Sequence, residues 1–255
     1  MPCKPFKFGQ WNGLVDDDFA RHLPEVDAIL QKGQLVVNKP DRIVRRIVVE
    51  GATYYAKSFL PPKRLVEAVK RSIRRPIPFR LWQTHNDMLD KGIQCAKPML
   101  AALESSGVQL FICSEIAFPT SRTLIKESPA EKLPEVFAQA AKAIAALHRA
   151  GFVHGDSLPG NICLGPDRTF AFIDNDRTSH IPSFFSRAAK QRNLIQFCAH
   201  TIFREGIGNE LFTLFLVEYM KEYVNVTPST ETVGAFIKTV VNRIAEIKKQ
   251  QGRKV

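Results

Sequence analysis

The chain has 255 residues and a formal net charge of +11, with a pI near 9.6. This length can bury a substantial core, and the charge favours anionic partners: nucleic acid, an acidic membrane surface or a phosphorylated substrate. A solvated basic surface would explain the charge equally well. The five cysteines are scattered and form no C-x-x-C pair, which argues against a disulfide framework or a zinc site and indicates a reducing compartment.

The N-terminal region, residues 1–30, shows neither a targeting signal nor a chemical motif. It contains lysines but lacks the apolar core of a secretory signal peptide. Aspartates at positions 16–18 precede an amphipathic pattern and predict a short capped helix that is broken at Pro24. Since no apolar run in the chain is long enough to span a bilayer, we expect a cytosolic protein.

Short β-like segments joined by turns follow, and they predict an antiparallel meander. The strands are predicted at 35–37, 43–49 and 53–59. The third strand carries Lys57 among apolar and aromatic neighbours, and from strand position alone an exposed surface lysine is the simpler interpretation. The first turn of the meander is basic, with the cations Lys39, Arg42, Arg45 and Arg46.

Residues 61–80 form the most basic stretch of the chain, with apolar residues interleaved at roughly helical spacing. Its cations are Lys63, Arg64, Lys70, Arg71, Arg74, Arg75 and Arg80. A basic amphipathic helix of this kind can lie on an anionic membrane leaflet, where each cation near the surface contributes on the order of 1 kcal/mol. A solvated helix face is the alternative, and the sequence leaves both interpretations open.

The remaining elements are one helix, two strands and then mainly helices. A helix is predicted at 79–91 and strands at 98–103 and 108–113. Residues 114–116 then lead to helices predicted at 124–127, 129–150, 184–203, 211–224 and 233–249. In the long helix 129–150, apolar residues recur at helical spacing and indicate a stripe that faces the core. These residues are Phe137, Ala140, Ile144 and Leu147.

The stretch between the helices at 129–150 and 184–203 carries the chemistry. It contains His154-Gly155-Asp156, then Asn161, short strands predicted at 162–164 and 170–173, and finally Asp174. Because both strand ends open on the same side, this ribbon can bring Asp156, Asn161 and Asp174 together. Phosphoryl transfer needs such a set: one carboxylate orients the attacking hydroxyl, and an amide oxygen with a second carboxylate holds Mg²⁺ against nucleotide phosphates. His154 is expected to hold the loop through hydrogen bonds.

The pattern H-G-D-x-x-x-x-N followed by I-D-x-D resembles the kinase-like superfamily and is most similar to the bacterial lipopolysaccharide-core (Kdo/heptose) kinases. The matching segments are 147–156 (LHRAGFVHGD), 160–162 (GNI) and 173–177 (IDNDR). The resemblance implies an α+β, two-lobed protein-kinase-like fold, in which the N-terminal lobe is an antiparallel β-sheet with a helix and the C-terminal lobe is mainly α-helical. The lobes would span residues 1–116 and 117–255 of one kinase-like domain.

The resemblance also implies ATP and Mg²⁺ as cofactors and a role for individual residues. Asp156 would be the catalytic base, and Asn161 and Asp174 would be the Mg²⁺ ligands. Lys57 would contact the α- and β-phosphates. The hinge backbone of Glu115 and Ile116 would meet the adenine. Lys57 ends a tyrosine-rich strand segment, Tyr54-Tyr55-Ala56-Lys57, as in these kinases.

The sequence departs from the general kinase pattern in the surroundings of these residues. Residues 33–45 contain no glycine-rich loop, so the basic first turn is expected to cover the phosphates instead. The helix at 79–91 contains no glutamate to pair with Lys57, and its acidic partner is not identified. Protein Ser/Thr kinases usually place a lysine two residues after the base, whereas this chain has Leu158, which disfavours a conventional protein kinase.

The function implied is ATP-dependent transfer of the γ-phosphoryl group to a sugar hydroxyl of the lipopolysaccharide inner core, Kdo or heptose. The substrate would be an anionic glycolipid, reached from the cytoplasm or from a peripheral position at the inner face of the inner membrane through residues 63–80. The alternatives are an atypical protein kinase, a small-molecule phosphotransferase, or a catalytically inactive kinase-like regulator. No recognised motif supports a nucleic-acid partner, and the sequence does not indicate an oligomeric state.

Overall fold

The computed structural model describes residues 3–62, 75–182 and 185–252. The described residues up to Asp90, together with Cys95–Ile116, form one compact unit. Lys91–Gln94 and the described residues from Ala117 onward form the second. Most of the basic segment predicted at 61–80, including the membrane contact proposed for it, lies outside the described residues.

The first unit is built on an antiparallel sheet. Its strands are β1 Cys3–Phe8, β2 Trp11–Asp16, β3 Gln34–Lys39, β4 Arg42–Val49, β5 Ala52–Phe59, β6 Pro98–Glu104 and β7 Gln109–Ser114. They form a seven-stranded sheet in the order β1-β2-β6-β7-β5-β4-β3. The meander predicted over 35–59 is confirmed as β3–β5, and the strands predicted at 98–103 and 108–113 are confirmed as β6 and β7.

The hairpin β1–β2 was not predicted from the sequence. β1 lies at the edge of the sheet and is almost entirely exposed, so it lacks the alternation of buried and exposed residues that marks a strand. The predicted amphipathic segment does exist, but it begins after β2, as a 3₁₀ helix Ala20–Glu25 that contains Pro24 and continues into α1 Val26–Lys32.

Different elements cover the two faces of the sheet. Phe19, Leu23 and Val26 pack against one face. On the other face lies α2, Ile77–Asp90, through Leu81 and Trp82. α2 confirms the helix predicted at 79–91.

The second unit is mainly helical. Its helices are α3 Ser121–Glu127, α4 Leu133–Arg149, α5 Arg187–Ala199, α6 Asn209–Val224 and α7 Thr230–Gly252, with short 3₁₀ helices Ala130–Lys132, Pro159–Asn161 and Asn175–Arg177. Phe137, Phe197 and Phe215 join α4, α5 and α6 in a fully buried aromatic cluster, in which the rings of Phe197 and Phe215 stack at 4.9 Å. These helices confirm the ones predicted for this part of the chain. None of the helices described in either unit is long and apolar enough to cross a membrane.

Short strand pairs complete the second unit. They are β8 Phe152–Val153 with β11 Ser179–His180, and β9 Ile162–Leu164 with β10 Phe170–Phe172. The β9–β10 ribbon was predicted. β8 and β11 contain two residues each, which is too short to give a periodic signal in the sequence.

The cysteines are free thiols. Cys95, Cys113, Cys163 and Cys198 are buried, and Cys3 is exposed. Burial raises the pKa of Cys95 to about 12 and that of Cys163 to about 11. The thiols of Cys95 and Cys163 are therefore protonated and unreactive at neutral pH.

Candidate active site

The β9–β10 ribbon brings two of the predicted metal ligands to the same place. Ile162 pairs with Phe172 in the antiparallel ladder, and the N–H of Ile173 donates to the carbonyl oxygen of Asn161 at 3.0 Å. Asn161 lies just before β9, and Asp174 lies shortly after β10. Both residues are therefore at the same end of the ribbon. This is the arrangement that the sequence predicted.

Asp156 is joined to this end of the ribbon through hydrogen bonds within its loop. The side-chain amide of Asn161 donates to the carbonyl oxygen of Asp156 at 2.8 Å, and the N–H of Leu158 donates to the same oxygen at 2.8 Å. Asp156, Asn161 and Asp174 are all partly buried. The second unit thus gathers the predicted base and both predicted metal ligands in one loop cluster.

The backbone turns abruptly at Asp174, which has the left-handed conformation with φ 56° and ψ 47°. This conformation costs an L residue about 1 to 2 kcal/mol, and aspartate is among the few residues that tolerate it. The next residue, Asn175, fixes the turn: it is buried, donates to the carbonyl oxygen of Phe172 at 3.2 Å and accepts from the hydroxyl of Thr178 at 3.2 Å. The backbone turn at Asp174 is therefore held by buried contacts of the next residue.

His154 holds the loop from inside, as predicted. It is fully buried. Its Nδ1 accepts from the N–H of Asp156 at 3.1 Å, and its Nε2 donates to the carbonyl oxygen of Ile173 at 3.1 Å. Because a backbone N–H can only donate, Nδ1 is the acceptor and the proton lies on Nε2. The two ring nitrogens link the backbone of Asp156 to that of Ile173, the residue before Asp174. His154 therefore has a structural role.

Gly155 is required by a close approach between two segments of the loop. A Cβ at this position would lie 2.3 Å from the Cβ of Arg177 and 2.5 Å from its carbonyl oxygen. Backbone atoms cannot yield to such a contact as a flexible side chain can. Only glycine therefore allows the segment around Asp156 to pack against the turn that follows Asp174.

Helix α5 supports the loop with two amide side chains that sequence analysis did not identify. Gln196 donates from Nε2 to Oδ1 of Asp156 at 2.7 Å and accepts at Oε1 from the N–H of Ser157 at 3.1 Å. Asn193 accepts at Oδ1 from the N–H of His154 at 3.1 Å and donates to its carbonyl oxygen. Residues three apart share one face of a helix, so α5 presents both amides to the loop.

Asn193 is held in turn by His148, which is buried at the end of α4. Nε2 of His148 donates to Oδ1 of Asn193 at 3.0 Å, and Nδ1 accepts from the hydroxyl of Tyr219 at 2.9 Å. Burial lowers the pKa of His148 to about 4; the hydrogen bond to Asn193 opposes this shift, and the positive charge of Lys190 adds to it. His148 is therefore neutral at pH 7 and links α6 to the loop through α5.

In the first unit, Lys57 lies on β5, between β4 and β7. Its backbone partners are Val44 and Phe111. Directly paired residues point to the same face of a sheet, and Phe111 belongs to the cluster beneath α2. Lys57 therefore projects from the α2 face of the sheet, and it is partly buried.

Glu115 is bound to the sheet through both its backbone and its side chain. Its N–H donates to the carbonyl oxygen of Thr53 at 3.0 Å. Its Oε1 accepts from Nε of Arg46 at 3.2 Å and from the hydroxyl of Tyr55 at 3.5 Å. Since the N–H is already committed, a nucleotide contact by this residue would use its carbonyl oxygen. The contact predicted for Glu115 and Ile116 stays a prediction.

The basic first turn is arranged differently from the expectation. Only Pro40 and Asp41 separate β3 from β4, and the arginines lie within β4. Arg45 donates to the carbonyl oxygen of Gly33 at 3.1 Å, and Arg46 forms the ion pair with Glu115. These two arginines therefore bind protein groups, which does not favour them as a cover for phosphates.

A scan against protein-family models finds no match, and a search of curated proteins finds no similar sequence. A solved structure of WaaP in complex with acyl carrier protein has a TM-score of 0.60 at 16% sequence identity, with 94% of this chain and 97% of that chain covered. The crystal structure of WbdD has a TM-score of 0.50 at 16% identity, and the match covers 82% of this chain but only 50% of that one. The chain therefore has the predicted two-lobed kinase-like fold, and the resemblance to lipopolysaccharide kinases is confirmed at the level of the fold.

Proposed function

We propose that the protein is an ATP-dependent kinase that transfers the γ-phosphoryl group to a sugar hydroxyl of the lipopolysaccharide inner core, Kdo or heptose. The observation that carries the proposal is the loop cluster of Asp156, Asn161 and Asp174 at the end of the β9–β10 ribbon. The fold supports it, because WaaP is a lipopolysaccharide core heptose kinase and WbdD is an O-antigen kinase and methyltransferase.

The residues of the cluster fit a magnesium ion. The amide NH₂ of Asn161 is donated to the carbonyl oxygen of Asp156, so its amide oxygen is the atom left to face a cation, and Asp174 supplies a carboxylate. Mg²⁺ prefers oxygen ligands and is commonly bound by one or two protein groups, with phosphates and water completing the shell. No group of three or more His, Cys, Asp or Glu side chains in the described part of the chain could hold a metal by itself, so phosphates would complete the site.

Each residue then has a defined task in the proposed reaction. Asp156 orients the acceptor hydroxyl and accepts its proton as the oxygen attacks the γ-phosphorus, while the bond from this phosphorus to the β–γ bridging oxygen breaks and ADP leaves. Asn161 and Asp174 hold the ion, which when bound neutralises charge on the phosphates. Lys57 positions the α- and β-phosphates. The rate would come mainly from positioning and charge neutralisation.

The test is ATP- and Mg²⁺-dependent incorporation of phosphate into dephosphorylated core lipopolysaccharide, with a protein extract as a parallel acceptor. Asp156→Asn keeps an oxygen for the hydrogen bond from Gln196 but removes the base. We expect it to reduce transfer by about a hundredfold to ten-thousandfold, the usual contribution of a general base. Asp87→Asn, an exposed aspartate on α2, is the matched control and should retain full activity.

The outcomes separate the alternatives. Label in the glycolipid that depends on Asp156 supports the proposal, and undiminished transfer by Asp156→Asn contradicts it. Label only in protein would indicate an atypical protein kinase. Bound nucleotide without transfer to either acceptor would indicate an inactive regulator. Because the WaaP structure contains acyl carrier protein, each assay is run with and without added acyl carrier protein.

The proposed substrate also places the protein at a surface. An inner-core glycolipid is anionic and is embedded in a membrane, and the chain carries a formal net charge of +11. We therefore propose a cytoplasmic protein that works at the inner face of the inner membrane, with residues 63–80 as the segment that contacts it.

A further inference from the structure

A cavity with a basic lining lies beside the loop cluster in the second unit. Its volume is about 380 Å³. It is lined by residues of α5 and α7, namely Ala188, Gln191, Arg192, Ile195, Gln196 and Arg243. The lining, within the part of the chain that the structure describes, contains two arginines and no carboxylate.

One side chain connects this cavity to the proposed catalytic base. Gln196 lines the cavity and donates from Nε2 to Oδ1 of Asp156 at 2.7 Å. Asn161, the proposed metal ligand, contacts Asp156 at its backbone carbonyl instead. Gln196 therefore joins the lining of the cavity to the carboxylate of Asp156, the group that would hold the acceptor hydroxyl.

The electrostatic surroundings are positive on this side of the loop. Burial lowers the pKa of His200, the positive charges of Arg243 and Arg122 lower it further, and the charge of Asp156 opposes the shift. These groups thus act on the same histidine. Arg243 also pairs with Glu246 at 2.7 Å, but both side chains are about half exposed, so solvent screens the pair and it contributes little energy.

We propose that this arginine-lined cavity binds an anionic substituent of the acceptor sugar, a phosphate or a carboxylate, and so places the neighbouring hydroxyl against Asp156. The proposal rests on the proposed function and names the substrate chemistry of the same site. The planar guanidinium fork of arginine matches the oxygens of both anions. A sugar that is anchored in this way would approach from the side of Gln196, away from Asn161.

The test uses Arg192→Gln and Arg243→Gln. Lys238→Gln is the matched control, because Lys238 is exposed on the same helix as Arg243 but does not line the cavity. We expect each arginine variant to raise KM for the core acceptor by about tenfold or more, since hydrogen bonds between charged groups are roughly twice as strong as those between neutral ones. KM for ATP should not change, and Lys238→Gln should match wild type.

Modified acceptors identify the anion. An acceptor treated with phosphatase and one with its carboxyl groups reduced to alcohols are each compared with the untreated acceptor. The acceptor that lacks the recognised group should bind poorly to wild type, and its KM should be the same for wild type and the arginine variants. The proposal would be overturned if the KM for untreated acceptor were equal in wild type and both arginine variants. It would also be overturned if the arginine variants raised the KM for neutral acceptors as much as the KM for the untreated acceptor.

Calorimetric titration with the acceptor oligosaccharide, in the absence of ATP, separates this inference from the proposed function. If wild type transfers no phosphate to any core acceptor, the proposed function fails. The titration then decides the subsite alone: tighter binding to wild type than to Arg192→Gln and Arg243→Gln supports it, and equal or absent binding overturns it.

Discussion

At the scale of single residues, the environment of Asp156 is defined by neutral amides. Gln196 donates to its carboxylate, and Asn161 donates to its backbone carbonyl. A lysine at the position of Leu158, usual in protein kinases, would add a positive charge close to the base. Here a neutral donor from α5 bonds the carboxylate instead. In the proposed reaction this would leave the negative charge of Asp156 available for the proton of the acceptor hydroxyl.

Replacement of Gln196 by alanine should slow the proposed transfer. In Gln196→Ala, Asp156 loses the donor to Oδ1 and the N–H of Ser157 loses its acceptor, so the carboxylate is no longer held in one orientation. Small displacements of reacting groups can cost up to about a hundredfold in rate, and we expect kcat to fall by about tenfold to a hundredfold with KM for ATP unchanged. Steady-state kinetics with Gln250→Ala, an exposed glutamine on α7, as control would check this. An unchanged kcat would show that Gln196 does not position the base.

The sequence predicted the candidate site residues but not the side chains that support them. Asp156, Asn161 and Asp174 belong to a pattern with fixed spacing, and the ribbon between them is visible as short apolar segments. Gln196 and Asn193 lie on a helix forty residues further along the chain, and an amide on a helix has no chemical signature of its own. Their role follows from the packing of α5 against the loop, which local pattern does not encode.

At the scale of elements, the loop cluster depends on two segments that approach closely, the one around Gly155 and the turn after Asp174. Buried polar side chains fix the outer ends of both: His154 and Asn193 on one, and Asn175 on the other. The contact between the segments has no side chain on the glycine side. A change in volume there would move Asp156, the proposed base, relative to Asn161 and Asp174, the proposed metal ligands.

Gly155→Ala should therefore inactivate the protein without preventing folding. The added Cβ would overlap the backbone of Arg177, and the displacement would be transmitted to Asp174. We expect transfer to fall by about a hundredfold. Gly234→Ala is the matched control, because Gly234 lies on α7 with no atom within 4 Å of an added Cβ; it should stabilise the helix by up to about 1 kcal/mol and retain activity. Equal activity of the two variants would contradict the packing argument.

Element prediction succeeded where periodicity was clear and failed at the edges. β4 is rich in β-branched residues and β5 in aromatic ones, both are bounded by turns, and α4 has a continuous apolar stripe, so all three were predicted. β1 is an exposed edge strand containing Pro5 and lysines, which suits an edge but leaves no apolar pattern. The acidic run 16–18 suggested the start of a helix, whereas Asp16 ends β2 and its carboxylate accepts from Lys97 at 3.0 Å.

At the scale of the whole molecule, the polar network beneath the loop is also part of the core of the second unit. His148, Asn193 and Tyr219 are all buried and join α4, α5 and α6. The helices that hold the loop are therefore the same helices that bury the aromatic cluster. Conditions that disturb the network should lower the stability of the protein as well as its activity.

Stability should fall at acidic pH because of His148. Its pKa is lowered from 6.5 to about 4 in the folded protein, so the unfolded chain binds a proton first as the pH falls. The contribution of neutral His148 is complete above pH 6.5 and decreases between pH 6.5 and about 4, by on the order of 3 kcal/mol. Denaturant unfolding at several pH values should show a smaller decrease for His148→Gln than for wild type. His180→Gln, at an exposed position, should follow wild type, and an identical pH dependence in all three proteins would contradict the assignment.

Because Ile162 pairs with Phe172, the turn between β9 and β10 can vary in length. The ladder, and not the number of residues in the connecting turn, determines that Asn161 and Asp174 meet. Asp167 and Arg168, at the tip of the turn, are exposed. Insertions and deletions there would leave Asn161 and Asp174 in register, whereas a slip of one residue in either strand would reverse the face of every side chain beyond it. Related chains are therefore better aligned by their strand pairs than by a fixed gap, and the turn offers a place to graft a peptide tag or a spectroscopic probe without moving either residue.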